Sequence, residues 1–275
     1  MGFANARMTE TTVLAETNRR HVQAVVGSFS TAIFRSLPDG EPDFWCTGIL
    51  LRFGDILVLV TAAHCLDTQK PSLFAKDGQL VHLSAQPIFG SRVLSLPDPL
   101  NDIATVRLSS EEAERIGEMQ VPPLSASAPF EHRNAVSAPY LVVGFRACEQ
   151  QMDHRGKVWR HEITSLLVGA ARQSYYSITR LPHERILLFD ARPATFRSKH
   201  GAGGVPKLHG MSGSPVWRYN PSESHSIQNV PPLVGMFIGQ PSASSKVMMA
   251  ARIGLIFEHV AAAYPDLAGY LPRFR

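Results

Sequence analysis

Gly210-Met211-Ser212-Gly213-Ser214-Pro215 is the stretch on which the reading of this chain turns. A serine stands between two glycines just ahead of the apolar run Ser214–Trp217, so a hydroxyl is carried on a tight loop at the mouth of a strand. Alone, such a stretch is a flexible loop. Two segments upstream change its meaning. Val60-Thr61-Ala62-Ala63-His64-Cys65 brings a histidine off the end of an apolar strand through two small residues. Asn101-Asp102-Ile103-Ala104-Thr105-Val106 places an acid where another strand begins. Singly, the first is an ordinary hydrogen-bonded histidine and the second an Asx turn.

Taken together, the three segments contain what serine acyl transfer needs. A serine hydroxyl is a poor nucleophile until a neighbouring base removes its proton. A histidine does this near neutral pH, because its ordinary pKa is about 6.5, and a buried carboxylate fixes the imidazole tautomer and stabilises the imidazolium. In the order His, Asp, Ser, the segments resemble the signature blocks of the trypsin-like serine peptidases. An α/β-hydrolase runs Ser, acid, His, and needs glycine two residues after its serine, where this chain has Ser214. The resemblance spans about residues 25 to 262 and includes three further blocks. Trp45–Leu50 is similar to the family strand before the histidine, Leu141–Phe145 to the strand opening the second barrel, and Leu233–Ile238 to the strand lining the substrate cleft.

The resemblance implies a fold and a set of roles. The fold is all-β: two six-stranded antiparallel β-barrels and a C-terminal α-helix. His64 would be the base, Asp102 the orienting acid and Ser212 the nucleophile, with the backbone N–H groups of Gly210 and Ser212 holding the oxyanion. The substrate cleft would be lined by Pro206, Lys207, His209, Phe237, Ile238 and Gly239. Cys46 and Cys65 fall where the family has a disulfide; the alternative is two reduced, packed thiols. Two departures matter. Met211 stands where digestive members carry the aspartate that pairs with a freed N-terminus, so the Gly-x-Ser-Gly-Ser-Pro form resembles the bacterial glutamyl-endopeptidase-like and intracellular members. Pro206 stands where trypsin-like specificity needs an acid, which removes support for Arg or Lys preference. Lys207 is either a solvated loop charge or a binder of acidic side chains.

Outward from these blocks, the 275 residues read as a polar arm (1–24), a first barrel (25–120), a Pro-rich linker (121–138), a second barrel (139–255) and a helix with tail (256–275). Ala24-Val25-Val26-Gly27 reads as strand, and Val158–Val168 as one continuous strand. A net charge of +4, with Lys and Arg scattered and no aromatic-interleaved basic stripe, does not argue for nucleic acid, and no nucleic-acid partner is expected. No run reaches the roughly 18 apolar residues that cross a bilayer. With no signal segment at Met1–Arg20 and only three cysteines, the expected compartment is cytoplasmic. No cofactor is expected, and His183, Asp190, His200 and His209 match no metal-ligand spacing. The expected function is a serine endopeptidase acting on protein or peptide substrates, open to control by a regulatory protein partner. The alternatives are a catalytically silent or partner-gated binding module on the same fold, and a serine esterase.

Overall fold

The computed structural model describes residues 21–37, 40–66, 70–75, 78–90, 99–117, 139–149, 151–153, 158–160, 162–190, 208–220, 223, 229–240 and 247–271. Its strands are apolar on both faces, because each sheet packs a core inside its own curl and another against its neighbour. In the first sheet, β2 (Pro42–Phe53) and β3 (Ile56–Thr61) show this alternation. Leu50, Leu57 and Leu59 point into the first barrel, while Ile49, Leu51, Val58 and Val60 point to the seam between barrels. The second sheet repeats the device. Tyr140 and Val142 of β8 (Pro139–Phe145) and Met248 and Ala250 of β15 (Val247–Arg252) fill the second barrel. Leu141, Val143, Met249 and Ala251 face the seam. Period-two side chains thus sort themselves into three apolar clusters.

The first sheet has seven strands, adding β1 (Ser30–Ser36), β4 (Ser72–Phe74), β5 (Leu80–His82), β6 (Ile88–Phe89) and β7 (Ala104–Arg107), in the order β5-β4-β1-β2-β3-β7-β6. The second has six, adding β11 (Ile163–Gly169), β12 (Ile186–Asp190), β13 (Pro215–Arg218) and β14 (Leu233–Gly239), in the order β11-β8-β13-β14-β15-β12. Its two edges meet: Ala170 bridges Phe189, and the Ala171 N–H donates to Leu188 O at 2.8 Å. Two further strands, β9 (Gln151–Asp153) and β10 (Val158–Arg160), pair only with each other.

Helices close the seam. Residues 21–27 form α1, α2 is Ala63–Leu66, α3 is Ser110–Ile116, α4 is Gln173–Thr179 and α5 is Ile253–Ala263. Helix α5 buries Ile253, Ile256, Phe257 and Val260 against both sheets.

Three expectations are corrected. Ala24–Gly27 is helical, because Val22, Val25, Val26 and Phe29 recur at helical spacing and lie on a buried face, Val22, Val26 and Phe29 within the seam. The first sheet has seven strands where six were expected, the extra edge being the two-residue β6. The run 158–168 is divided between β10 and β11, which pair with different neighbours. The linker 121–138 and residues 1–20 of the arm lie outside the described residues.

On the open side of the first barrel, Glu112 is the tie. Its carboxylate accepts from Ser84 N at 2.6 Å, just past β5, and from Ser109 N at 2.7 Å, while Ser109 Oγ accepts from Glu112 N in a capping box. Burial disfavours the charge, but these N–H groups outweigh it and hold the Glu112 carboxyl below its ordinary 4.5. A depressed carboxyl adds stability that is present above 4.5 and lost as pH falls through the folded value. Glu112→Ala is expected to cost about 2 kcal/mol in denaturant unfolding at pH 7. The difference from wild type should shrink as the medium is acidified.

Candidate active site

Strand β3 ends at Thr61, and the single turn of α2 lifts His64 to the rim of the seam. The Asp102 carboxylate, ahead of β7, holds this residue twice: Oδ1 accepts from the His64 backbone N–H at 2.9 Å, and Oδ2 lies 2.7 Å from Nδ1. Asp102 is buried and the His64 side chain is half-exposed. The other ring nitrogen, Nε2, is 3.0 Å from Ser212 Oγ, which comes from the second barrel. Ser212 Oγ is also 3.0 Å from Ile238 O. The hydroxyl proton therefore has two acceptors: a neutral imidazole at Nε2, or Ile238 O when Nε2 itself donates. The sequence-predicted His64, Asp102 and Ser212 thus lie in one hydrogen-bonded line. Ser214 stands apart from it, its side chain fully buried against Gly144, where an added Cβ would come within 1.9 Å of Ser214 Oγ.

The nucleophile loop is accounted for peptide by peptide. His209 O accepts from Ala147 N at 2.9 Å and Met211 O from Ser214 N at 3.0 Å. Ser212 O accepts from Thr47 N at 3.1 Å, and Gly213 N donates to Phe237 O at 2.8 Å. Between them, Met211 N donates to Leu208 O at 2.9 Å, and Gly210 O accepts from Thr47 Oγ1 at 2.9 Å. The N–H groups of Gly210 and Ser212 have no acceptor among the described residues. In a trans peptide the N–H opposes the C=O, so pinning His209 O and Met211 O turns both N–H groups the other way. Only glycine fits Gly210 (φ 89°), where a Cβ would stand 2.6 Å from Phe44 Cε1. Met211 is fully buried in the core of the second barrel.

Beside Ser212 opens a cleft of about 680 Å3, lined by His209, Phe237, Ile238 and Gly239 together with Leu208 and Met249. Pro206 and Lys207 lie outside the described residues, as does His200. Sequence reasoning missed Thr179 and Leu181, which reach the cleft from α4 and its exit, and the Thr47 hydroxyl. Thr47 lay within the Trp45–Leu50 block, but its type alone gave no sign that it would meet Gly210, 163 positions away.

The disulfide that the resemblance implies is not formed: Cys46 and Cys65 are free, buried thiols, and Cys148 is free and exposed. Both pack in the first-barrel core, Cys46 Sγ lying 3.6 Å from Thr61 Oγ1. Contact with Cys46 and burial push the Cys65 thiol well above its ordinary range, so it stays neutral beside His64. Among the described residues no group of three or more His, Cys, Asp or Glu is placed to hold a metal ion, and no helix is long and apolar enough to cross a membrane.

Two curled antiparallel sheets, a C-terminal helix and a His–Asp–Ser site in their seam make this a trypsin-like double-barrel fold. No protein-family model matches the chain, and no curated protein matches it. Among solved structures it is similar to a serine endoprotease from Yersinia pestis, at 10% identity over 92% of this chain and 67% of that one, with a TM-score of 0.49. It is similar to a Glu endopeptidase at 12% identity, over 86% of this chain and 91% of that one, with a TM-score of 0.48. The active form of the Rv3671c protease from M. tuberculosis matches at 14% identity, over 89% of this chain and 85% of that one, with a TM-score of 0.46.

Burial opposes a charge on His64, but the hydrogen bond to the Asp102 carboxylate pushes the imidazole from 6.5 up to about 10. Water reaches half of the side chain, which screens the pair. If His64 serves as a general base, which works only when unprotonated, the acid limb of kcat/KM should lie between 6.5 and 10, on the alkaline side of an ordinary histidine. Asp102→Asn should move that limb to lower pH. The check is a pH–rate profile of both proteins; a wild-type limb below 6.5 would contradict the coupling.

Proposed function

We propose that the chain is a serine endopeptidase. The observation that carries this reading is the line Asp102–His64–Ser212 opening on the cleft, with the N–H groups of Gly210 and Ser212 free of acceptors among the described residues. In the proposed reaction Ser212 Oγ attacks a peptide carbonyl as its proton passes to His64 Nε2. The carbonyl oxygen gathers negative charge in the Gly210 and Ser212 N–H groups. Collapse of this intermediate breaks the C–N bond, and the imidazolium gives its proton to the leaving amine. Water, deprotonated by His64, then hydrolyses the acyl-Ser212 ester and restores the serine. Asp102 stays ionised, holding Nδ1–H and stabilising the imidazolium. A peptide suits the cleft better than a small ester, because the end of β14 at Gly239 borders it and offers backbone to an extended chain.

The test is labelling with a fluorophosphonate, which reports an activated serine without knowledge of the substrate. Wild type should label and Ser212→Ala should not. With a peptide substrate in hand, Ser212→Ala should lose about 10⁶-fold in turnover, and Asp102→Asn about 10⁴-fold near neutral pH. Wild-type protein that neither labels nor cleaves would favour a silent binding module.

Met211 also bears on activation. Its side chain is a core residue of the second barrel, and methionine offers no charge to a freed amino group. Helix α1, meanwhile, sinks Val22 and Val26 into the seam. The chain beginning at Met1 should therefore label without N-terminal cleavage. A version beginning at Val25 loses Val22 and should be less stable by about 1.5–3 kcal/mol in thermal unfolding, with no gain in labelling. Labelling confined to the shortened form would overturn this.

A further inference from the structure

We propose that the side-chain hydroxyl of Thr47 is the positioning group that sets the oxyanion loop. The inference rests on the endopeptidase reading for its kinetic consequence, but not for its structural one. Thr47 belongs to β2 of the first barrel and is fully buried. Its hydroxyl has a single proton. Gly210 O at 2.9 Å takes it in preference to Phe145 O at 3.5 Å, which is at the limit of a hydrogen bond. The same oxygen accepts from Phe145 N at 3.0 Å, at the end of β8. One hydroxyl therefore joins β2, β8 and the nucleophile loop.

The acceptor it holds decides the geometry. Gly210 O belongs to the peptide between Gly210 and Met211, whose N–H is held by Leu208 O. That peptide is the link between the two N–H groups left without acceptors, those of Gly210 and Ser212. A rotation about it would turn one or both away from the position of a substrate carbonyl. Glycine at 210 gives the backbone freedom to make that rotation, and no side chain of its own resists it. Thr47 supplies the resistance from outside. Thr47 N and Thr47 O serve the same region, the first binding Ser212 O at 3.1 Å and the second accepting from Thr61 Oγ1 at 2.7 Å. Both survive substitution of the side chain, so a variant at 47 isolates the hydroxyl.

The experiment compares wild type with Thr47→Val, which keeps the branched shape and loses the hydroxyl, Thr47→Ser, which keeps the hydroxyl and loses the methyl, and Thr47→Ala in case the valine variant does not fold. Removing an oxyanion donor outright costs about 10²–10³ in kcat. Loosening two donors should cost Thr47→Val roughly ten- to a hundredfold in kcat, with KM changed little. A peptidyl boronate, which forms a tetrahedral adduct, should weaken in step with kcat/KM. The pH of the acid limb should stay in place, since His64 and Asp102 are untouched. Thr47→Ser should recover most of the loss. Equal kcat in wild type and Thr47→Val, or a serine variant as poor as the valine one, would overturn the proposal. Hydrogen–deuterium exchange over residues 208–214 supplies a readout free of catalysis: faster exchange in Thr47→Val, reversed in Thr47→Ser, supports the assignment, and unchanged exchange defeats it. Wild type that neither labels nor cleaves would sink the endopeptidase reading alone, and the exchange experiment would still decide the role of Thr47.

Discussion

His64 Nε2 and Ser212 Oγ lie 3.0 Å apart, yet one is carried by the first barrel and the other by the second. That distance depends on how the barrels dock, and the docking is apolar. Ile49, Leu51, Val58 and Val60 from one sheet meet Leu141, Val143, Met249 and Ala251 from the other, with α5 laid across them. A buried aliphatic side chain contributes about 1.5–3 kcal/mol, while a hydrogen bond such as His64–Ser212 adds about 0.5–1.5 kcal/mol net. The seam is therefore the cause and the short contact its result. The same requirement explains why so many strands have no polar face: a strand between a barrel core and the seam is buried twice.

Within that frame, the site is built from backbone more than from charge. Between His209 and Gly213 nearly every peptide group has a partner, and the two N–H groups left over are those of Gly210 and Ser212. Buried peptide groups are seldom left unpaired, so two N–H groups with no acceptor among the described residues are open to an oxygen placed beside Ser212. Two glycines make the arrangement possible. Gly210 bends beneath Phe44, and Gly213 (φ 88°) comes so near β2 that a Cβ would stand 1.9 Å from Thr47 O. Met211 fixes the loop by burial alone, an apolar solution to a problem that a carboxylate in that place would solve with an ion pair.

The parts of this arrangement that were legible in the sequence are those that local chemistry specifies. A histidine, an aspartate and a glycine-flanked serine at strand mouths could be named because, in that order, the three segments together resemble the blocks of a known family, and the apolar runs marked most of the strands. What escaped was set by tertiary packing. The stretch from Ala24 to Gly27 is β-branched enough to read as strand, but with Val22 and Phe29 it forms one helical face that the seam captures. Cys46 and Cys65 sit at positions whose pairing depends on surroundings, and here both thiols rest in the first-barrel core. Thr47 looked like any strand threonine, since nothing local reveals a partner 163 residues away.

Besides the backbone bond from Thr47 N to Ser212 O, two side-chain contacts between the barrels act on the one loop that holds Ser212. His64 reaches its hydroxyl, and Thr47 reaches the carbonyl of Gly210. Both side chains sit on the first barrel, on strands β2 and β3 or the turn that follows, and these strands pair directly through Ile49–Val60 and Leu50–Leu59. They therefore move as one body. Hydrogen bonds weaken steeply as they lengthen, so a small sliding of the seam would loosen the His64–Ser212 contact and the Thr47–Gly210 bond together. The converse also holds: whatever restores the seam restores both. Both contacts to the Ser212 loop are thus set through one pair of strands, β2 and β3.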